Sequence, residues 1–286
     1  MNNKIQHLPD GTIELTITIP WSEIEKIYND VVNQTVQNAE ISGFRKGKAP
    51  RNVVEEKLDK NKTYEAVLKR LIPDVYQKAV EETKIKPIIT PKIELSDAIE
   101  KKDWVVRAQT CEKPALTIGD YKKAVTELKV AKTKKIWVPG QETPQNADKD
   151  KPTKPTLDEI LKTVYDQISI ILPTLLIDHE VNRLLSDLID QTKKLRLNVE
   201  QYLSSTGRTA ESIRNEYINQ AKRTLSLEFA LEEIANRESI TVTEDDISHV
   251  IKTAKTDEEK KTLENQRYYI ASVLRRQKTL DFLASI

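Results

Sequence analysis

Pro9-Asp10-Gly11-Thr12-Ile13-Glu14-Leu15-Thr16-Ile17-Thr18-Ile19 decides how the first part of this chain folds. Ile13, Leu15, Ile17 and Ile19 alternate with Glu14, Thr16 and Thr18, the period of a strand with one buried face. Asp10-Gly11 before it is a hairpin signal, so Ile5–Leu8 is the partner strand. Pro20 stops the strand. Beyond it, Ser22 and Glu25 have the spacing of a capping box. Ile24, Ile27, Tyr28, Val31, Val32, Val36 and Ala39 then mark one face of a helix that ends before Ser42-Gly43. Helical spacing returns over Arg51–Leu58 and Tyr64–Thr83, with Pro73 expected to kink or break the second. Ile88–Leu95 and Trp104–Thr110 read as strands again. Strands, helices and strands in that order predict an α+β domain over residues 1–131.

The middle of the chain differs. Residues 132–156 hold Pro139, Gly140, Pro144, Pro152 and Pro155 around the polar run Gln145–Lys151. This stretch reads as a linker, with Ile136-Trp137-Val138 as its one strand-like piece. Residues 157–286 are expected to form an all-α domain. Val181, Leu184, Leu185, Leu188, Ile189 and Leu195 form one stripe, and Ile213, Tyr217, Ala221, Leu225 and Phe229 another. Thr243 with Asp246, and Thr256 with Glu259, are helix starts. The second opens a terminal helix through Leu263, Tyr269, Ile270, Val273, Leu274, Leu280 and Leu283. No strict heptad runs through these stripes, which argues against a simple coiled coil.

Composition agrees with a helix-rich chain. Of 286 residues only six are glycine, 38% are apolar and 32% charged. That is less apolar and more charged than an average domain, and predicts a large surface for its core and an elongated C-terminal domain. The formal net charge of +1 gives no bulk attraction for nucleic acid, so any RNA contact must be local. The single cysteine, Cys111, excludes an intrachain disulfide and reads as a small buried apolar residue. His7, His179 and His249 have no metal-ligand spacing. Asp245-Asp246 and Glu232-Glu233 lie beside helical stripes and read as solvated faces. No catalytic residue, metal or cofactor is expected. Met1–Pro20 lacks the pattern of a signal peptide, and no apolar run is long enough to span a bilayer. A cytoplasmic protein is expected.

One segment stands apart: Gly43-Phe44-Arg45-Lys46-Gly47-Lys48-Ala49-Pro50. It holds two of the six glycines, and no acid occurs from Ile41 to Val54. Arg45, Lys46, Lys48 and Arg51 supply cations. It is not a phosphate-binding loop: the glycine spacing is one residue short, and Ala49 stands where a metal-binding hydroxyl would be needed. A basic loop is most often a solvated surface, and Phe44 could plug its own domain's core. An exposed Phe44 beside Arg45 and Lys46 would instead make a docking finger, with the ring for an apolar pocket and the cations for carboxylates or phosphates.

The octapeptide resembles the signature loop of the bacterial trigger factor family. Gly119-Asp120-Tyr121 fits the same N-terminal domain. In the C-terminal half, Leu172-Pro173, Asp178-His179-Glu180-Val181, Glu200-Gln201-Tyr202-Leu203, Leu231-Glu232-Glu233-Ile234-Ala235 and the run Arg275–Leu283 are similar to the family in the right order. The resemblance implies an ATP-independent chaperone that docks beside the ribosomal exit tunnel and holds nascent polypeptides in a helical cradle. Gly43, Phe44, Arg45, Lys46, Gly47 and Lys48 would be the ribosome-binding residues. Members usually carry a prolyl isomerase domain between the halves; here only residues 132–156 stand in its place, so isomerase activity is not expected. Two other readings stay open, an active prolyl isomerase and a ribosome-independent holdase or assembly factor, as does a weak homodimer.

Overall fold

The computed structural model describes residues 2–42, 44–97, 99–133, 154–254 and 256–286. Most of the segment assigned as a linker, including Ile136-Trp137-Val138, lies outside the described residues. The chain packs as two compact units: Met1–Pro114 with Pro173–Leu176, and Ala115–Leu172 with Ile177–Ile286.

Unit 1 has the expected α+β build. Strands β1 (Asn2–His7) and β2 (Thr12–Ile19) form the hairpin, and β3 (Lys92–Asp97) and β4 (Trp104–Cys111) complete an antiparallel sheet of order β1-β2-β4-β3. Ile13, Leu15, Ile17 and Ile19 are buried, while Glu14, Thr16 and Thr18 stay half-exposed on the other face. Helices α1 (Trp21–Asn38) and α3 (Lys60–Thr83) cover the buried face, with the short α2 (Arg51–Lys57) between them in sequence. One core results, from Ile24 and Val31 of α1, Val67, Leu71, Val75 and Ala79 of α3, and Trp104, Val106 and Ala108 of β4. Cys111 is fully buried, and burial pushes its thiol up to about 11.

Three local expectations change. The Ser22–Glu25 box does not form. Pro20 is the N-cap and carries no side-chain cap bond, so the helix starts ahead of Ser22, and the Trp21 amide donates to Asp103 Oδ1 at 2.9 Å instead. Pro73 does not end α3. Its ring costs the helix one hydrogen bond, but Val67 and Leu71 before it and Val75 and Ala79 after it enter the same core, and the helix continues past it. β3 begins at Lys92 rather than Ile88, because Pro91 has no N–H for the ladder.

Unit 2 is largely helical. It holds α4 (Tyr121–Thr133), α5 (Leu157–Tyr165), α6 (Thr174–Lys194, whose first residues belong to unit 1), α7 (Val199–Thr206), α8 (Ala210–Arg237), α9 (Glu244–Lys252), α10 (Asp257–Asn265) and α11 (Arg267–Ser285). It is not all-α: β5 (Leu116–Ile118) pairs antiparallel with β6 (Ile168–Ile170). Packing also divides the chain earlier than residue 131. Ile118, Tyr121 and Val125 are buried with Ile160, Val164, Ile234 and Leu283, so residues 115–133 complete the helical core. The Tyr121 hydroxyl donates to Glu238 Oε1 at 2.6 Å, and Lys122 pairs with the same carboxylate at 2.7 Å. The edges of the assigned linker are ordered too. Lys132 lies in the last turn of α4 and meets Glu159 at 2.5 Å, and Thr156 forms a capping box with Glu159. The boxes expected at Thr243–Asp246 and Thr256–Glu259 are present. The second does not open one terminal helix, because Gln266, at φ −104° and ψ 21°, separates α10 from α11.

Candidate functional site

The loop between α1 and α2 is tied down by its backbone. The Phe44 amide donates to Ile41 O at 3.0 Å, the Lys48 amide to Arg45 O at 2.9 Å and the Gly47 amide to Ala39 O at 3.1 Å, the last anchoring the loop to the end of α1. Gly47 sits at φ +71°, and a Cβ there would come within 2.5 Å of Gln37 O, so the close approach requires glycine. Ala49 is buried and fixes the far end. Pro50 is the N-cap of α2.

These ties leave three consecutive side chains outside. Phe44 is 45% exposed and takes no part in the unit 1 core, and Arg45 and Lys46 are exposed beside it. Lys48 is exposed as well, and Gly43 lies outside the described residues. Lys46 pairs with Glu40 at 2.9 Å. Both side chains are largely solvated, so the pair is weak and exchangeable. Glu40 precedes the acid-free run and was missed for that reason. Arg51 differs from the other cations. It donates to Asn29 Oδ1 at 2.6 Å and to Glu55 Oε1 at 2.7 Å, holding α2 against α1. It belongs to the scaffold. A half-exposed ring with two adjacent cations can be buried by a partner that offers an apolar pocket and negative groups.

Unit 2 carries a second kind of surface. Tyr268 is 93% exposed and Tyr269 67%, and Val273 follows one turn after Tyr269 on α11. Ile171 and Leu195 are also strongly exposed. Sequence periodicity placed Tyr269, Val273 and Leu195 on helical stripes but could not say which stripe lacked a partner. Among the described residues no group of three or more His, Cys, Asp or Glu is placed to hold a metal ion, and no helix is long and apolar enough to cross a membrane.

Comparison with known proteins covers nearly the whole chain. Residues 1–137 match the family model of the bacterial trigger factor protein, and residues 141–285 match that of the trigger factor C-terminus. Trigger factors of Staphylococcus aureus strains JH9 and Newman are each 32% identical over 108 residues, which is 38% of this chain and 25% of theirs. The matched stretch thus spans a quarter of these relatives' length. A solved trigger factor chaperone, studied for promiscuous substrate recognition in folding and assembly, superposes with a TM-score of 0.63 at 16% identity, over 100% of this chain and 99% of that one. Since the two family models leave only residues 138–140 between them, the chain belongs to the bacterial trigger factor family and carries no isomerase domain between its two halves.

Proposed function

We propose that this protein is an ATP-independent chaperone of the cytosol that docks on the ribosome through Phe44, Arg45 and Lys46 and holds nascent polypeptides on unit 2. The observation that carries the docking half is an exposed aromatic ring between a fixed α1 end and a fixed α2 start, with cations on its C-terminal side. A side chain presented from a rigid loop loses little freedom on binding. Full enclosure of the Phe44 ring would contribute about 1.5–3 kcal/mol, and Arg45 and Lys46 a part that salt screens. The holding half rests on the exposed Tyr268, Tyr269, Val273 and Leu195, since apolar surface without a partner is what an unfolded chain can cover.

The test is co-sedimentation with ribosomes. Replacing Phe44, Arg45 and Lys46 together by alanine should abolish it at moderate salt, with the melting curve unchanged within about 0.5 kcal/mol. Phe44→Ala alone should weaken binding equally at low and high salt, whereas Arg45→Ala with Lys46→Ala should matter most at low salt. Ribosome binding of wild-type strength in the triple variant would remove the loop from the docking role and favour the ribosome-independent holdase. The isomerase reading has its own measurement. The protein should leave the cis–trans relaxation of a prolyl tetrapeptide at its uncatalysed time constant of tens to hundreds of seconds, and clear acceleration at substoichiometric protein would overturn that.

A further inference from the structure

Glu40 is the one acid in residues 40–48, against the three cations Arg45, Lys46 and Lys48. It stands just beyond the end of α1, where Ala39 is the C-cap. The negative end of a helix macrodipole lies there, so the helix favours a cation at this place and gains nothing from a carboxylate. Nor does the Glu40 side chain tie the loop to a neighbouring element. Among the described residues its one partner is Lys46, at 2.9 Å.

The place of that pair in the loop is specific. The Gly47 amide donates to Ala39 O at 3.1 Å, and the Glu40–Lys46 pair joins the next residues inward from each side. The two links close the loop as successive rungs, one of backbone and one of side chains, around Ile41–Arg45 with Phe44 between them. The backbone rung is fixed by the close approach at Gly47. The side-chain rung is not fixed. Lys46 is 62% exposed and Glu40 74%, so water screens the pair and either member can change partners. A compact ammonium on a flexible stem can swing from one acceptor to another. Lys46 therefore has two sets of acceptors to choose between: Glu40 in the free protein, and negative groups on whatever surface the loop meets.

We propose that Glu40 is an internal competitor for Lys46 that limits how tightly the loop docks. This rests on the docking role proposed above for Phe44, Arg45 and Lys46. In the free protein the carboxylate holds the Lys46 ammonium against the base of the loop and offsets one of its three positive charges. Docking through Lys46 must break that pair, so only the difference between the two sets of contacts adds to affinity. Phe44 decides which surface the loop fits, and Glu40 restrains the electrostatic part of the grip.

Co-sedimentation of the full chain with purified ribosomes, over a salt series, tests this. Glu40→Gln keeps the side-chain volume and should bind about three- to fivefold more tightly than wild type at low salt, the span of an exposed ion pair. The gain should shrink as salt rises, because screening already weakens the pair in wild type. The melting curve should not move, since both side chains are exposed. On a Lys46→Met background the same change should lose most of its gain. An equal gain on both backgrounds would overturn the proposal, because Glu40 would then act on the charge of the whole loop and not through Lys46. Wild-type affinity of Glu40→Gln would overturn it too, and so would weaker binding, which would make the pair a brace that docking needs. The docking role itself is tested apart from this by the triple alanine variant. If that variant loses ribosomes while Glu40→Gln equals wild type, the loop docks and Glu40 has no part in it. If the triple variant binds as wild type does, the docking role falls and the competition at Lys46 falls with it.

Discussion

In unit 1 one core takes in both long helices and the central strands, from Ile13 to Ala108. In unit 2 the buried residues fall into separate clusters, one around Val125, Ile160, Ile234 and Leu283 and another around Ile247, Ile251 and Ile270. The large apolar residues left outside differ in the same way. Those of unit 1, Phe44 among them, stay near half exposure. In unit 2, Ile171, Leu195, Tyr268 and Tyr269 are mostly in water. A single continuous core can hold one ring in one geometry, which is what selective docking needs. Small clusters joined by long helices leave apolar surface spread over several elements, which suits partners of no fixed sequence.

The largest effect that could break this contrast concerns where unit 2 begins. If residues 115–133 complete its core, a fragment of residues 157–286 loses Ile118, Tyr121 and Val125. Three buried side chains at about 1.5–3 kcal/mol each are comparable with the 5–15 kcal/mol that holds a domain together. We expect 157–286 to show no cooperative urea transition and 115–286 to show one. Equal midpoints by circular dichroism would mean that β5 and α4 are attached to the helical core without supporting it.

Much of this was legible before any coordinates. The hairpin, the α1 stripe, two of the capping boxes and the octapeptide are local patterns, and local patterns survive folding. What was not legible depends on partners distant in sequence. In place of the Ser22 cap, Asp103 accepts from the amide of Trp21, 82 residues away. Ile168–Ile170 becomes a strand because Leu116–Ile118 reaches it. The helical spacing of Tyr269 and Val273 says that they share a face, and nothing in the sequence says that the face lacks a neighbour. At the loop, the residue types named the candidates, but only the geometry sets Arg51 apart, by its bonds to Asn29 and Glu55.

An intermediate effect sharpens the contrast between fixed and open backbone. Gly47 and Gly207 share a left-handed conformation, at φ +71° and +65°. An added Cβ meets Gln37 O at 2.5 Å in the first case and nothing within 4 Å in the second. Gly207→Ala should therefore cost only the left-handed backbone penalty, about 1–2 kcal/mol. Gly47→Ala carries that penalty and a backbone clash as well. It should lower the urea midpoint further and weaken ribosome co-sedimentation even with Phe44, Arg45 and Lys46 intact. A Gly47→Ala protein as stable as Gly207→Ala would show that the docking loop is not rigidly held.

The smallest effect tests whether the minor cluster of unit 2 relies on polar ties. Ile247, Ile251 and Ile270 form a small buried cluster, and α9 is joined to α11 by two ion pairs, Asp246 with Lys278 at 2.5 Å and Glu244 with Arg267. Asp246 also closes the capping box, accepting from the Thr243 amide at 2.8 Å. The Lys278 ammonium first, and the Thr243 bonds after it, hold the Asp246 carboxyl down at about 2, against 3.8 ordinarily. A carboxyl depressed in the folded state stabilises it fully above the unfolded value and ceases to do so as pH falls through the folded one. The contribution should therefore be intact above pH 3.8 and fade as pH falls toward about 2. Lys278→Met removes the larger cause and leaves the Thr243 bonds, so the Asp246 titration should move up toward its ordinary value. The difference in urea midpoint between wild type and Lys278→Met should then be largest above pH 4 and shrink toward pH 2. Taking that difference cancels the other carboxylates that titrate in the same range. Carboxyl-detected NMR of Asp246 gives the shift directly. A titration unchanged by Lys278→Met would mean that the cap alone sets the Asp246 carboxyl, and that α9 is held to α11 by its three isoleucines and their neighbours.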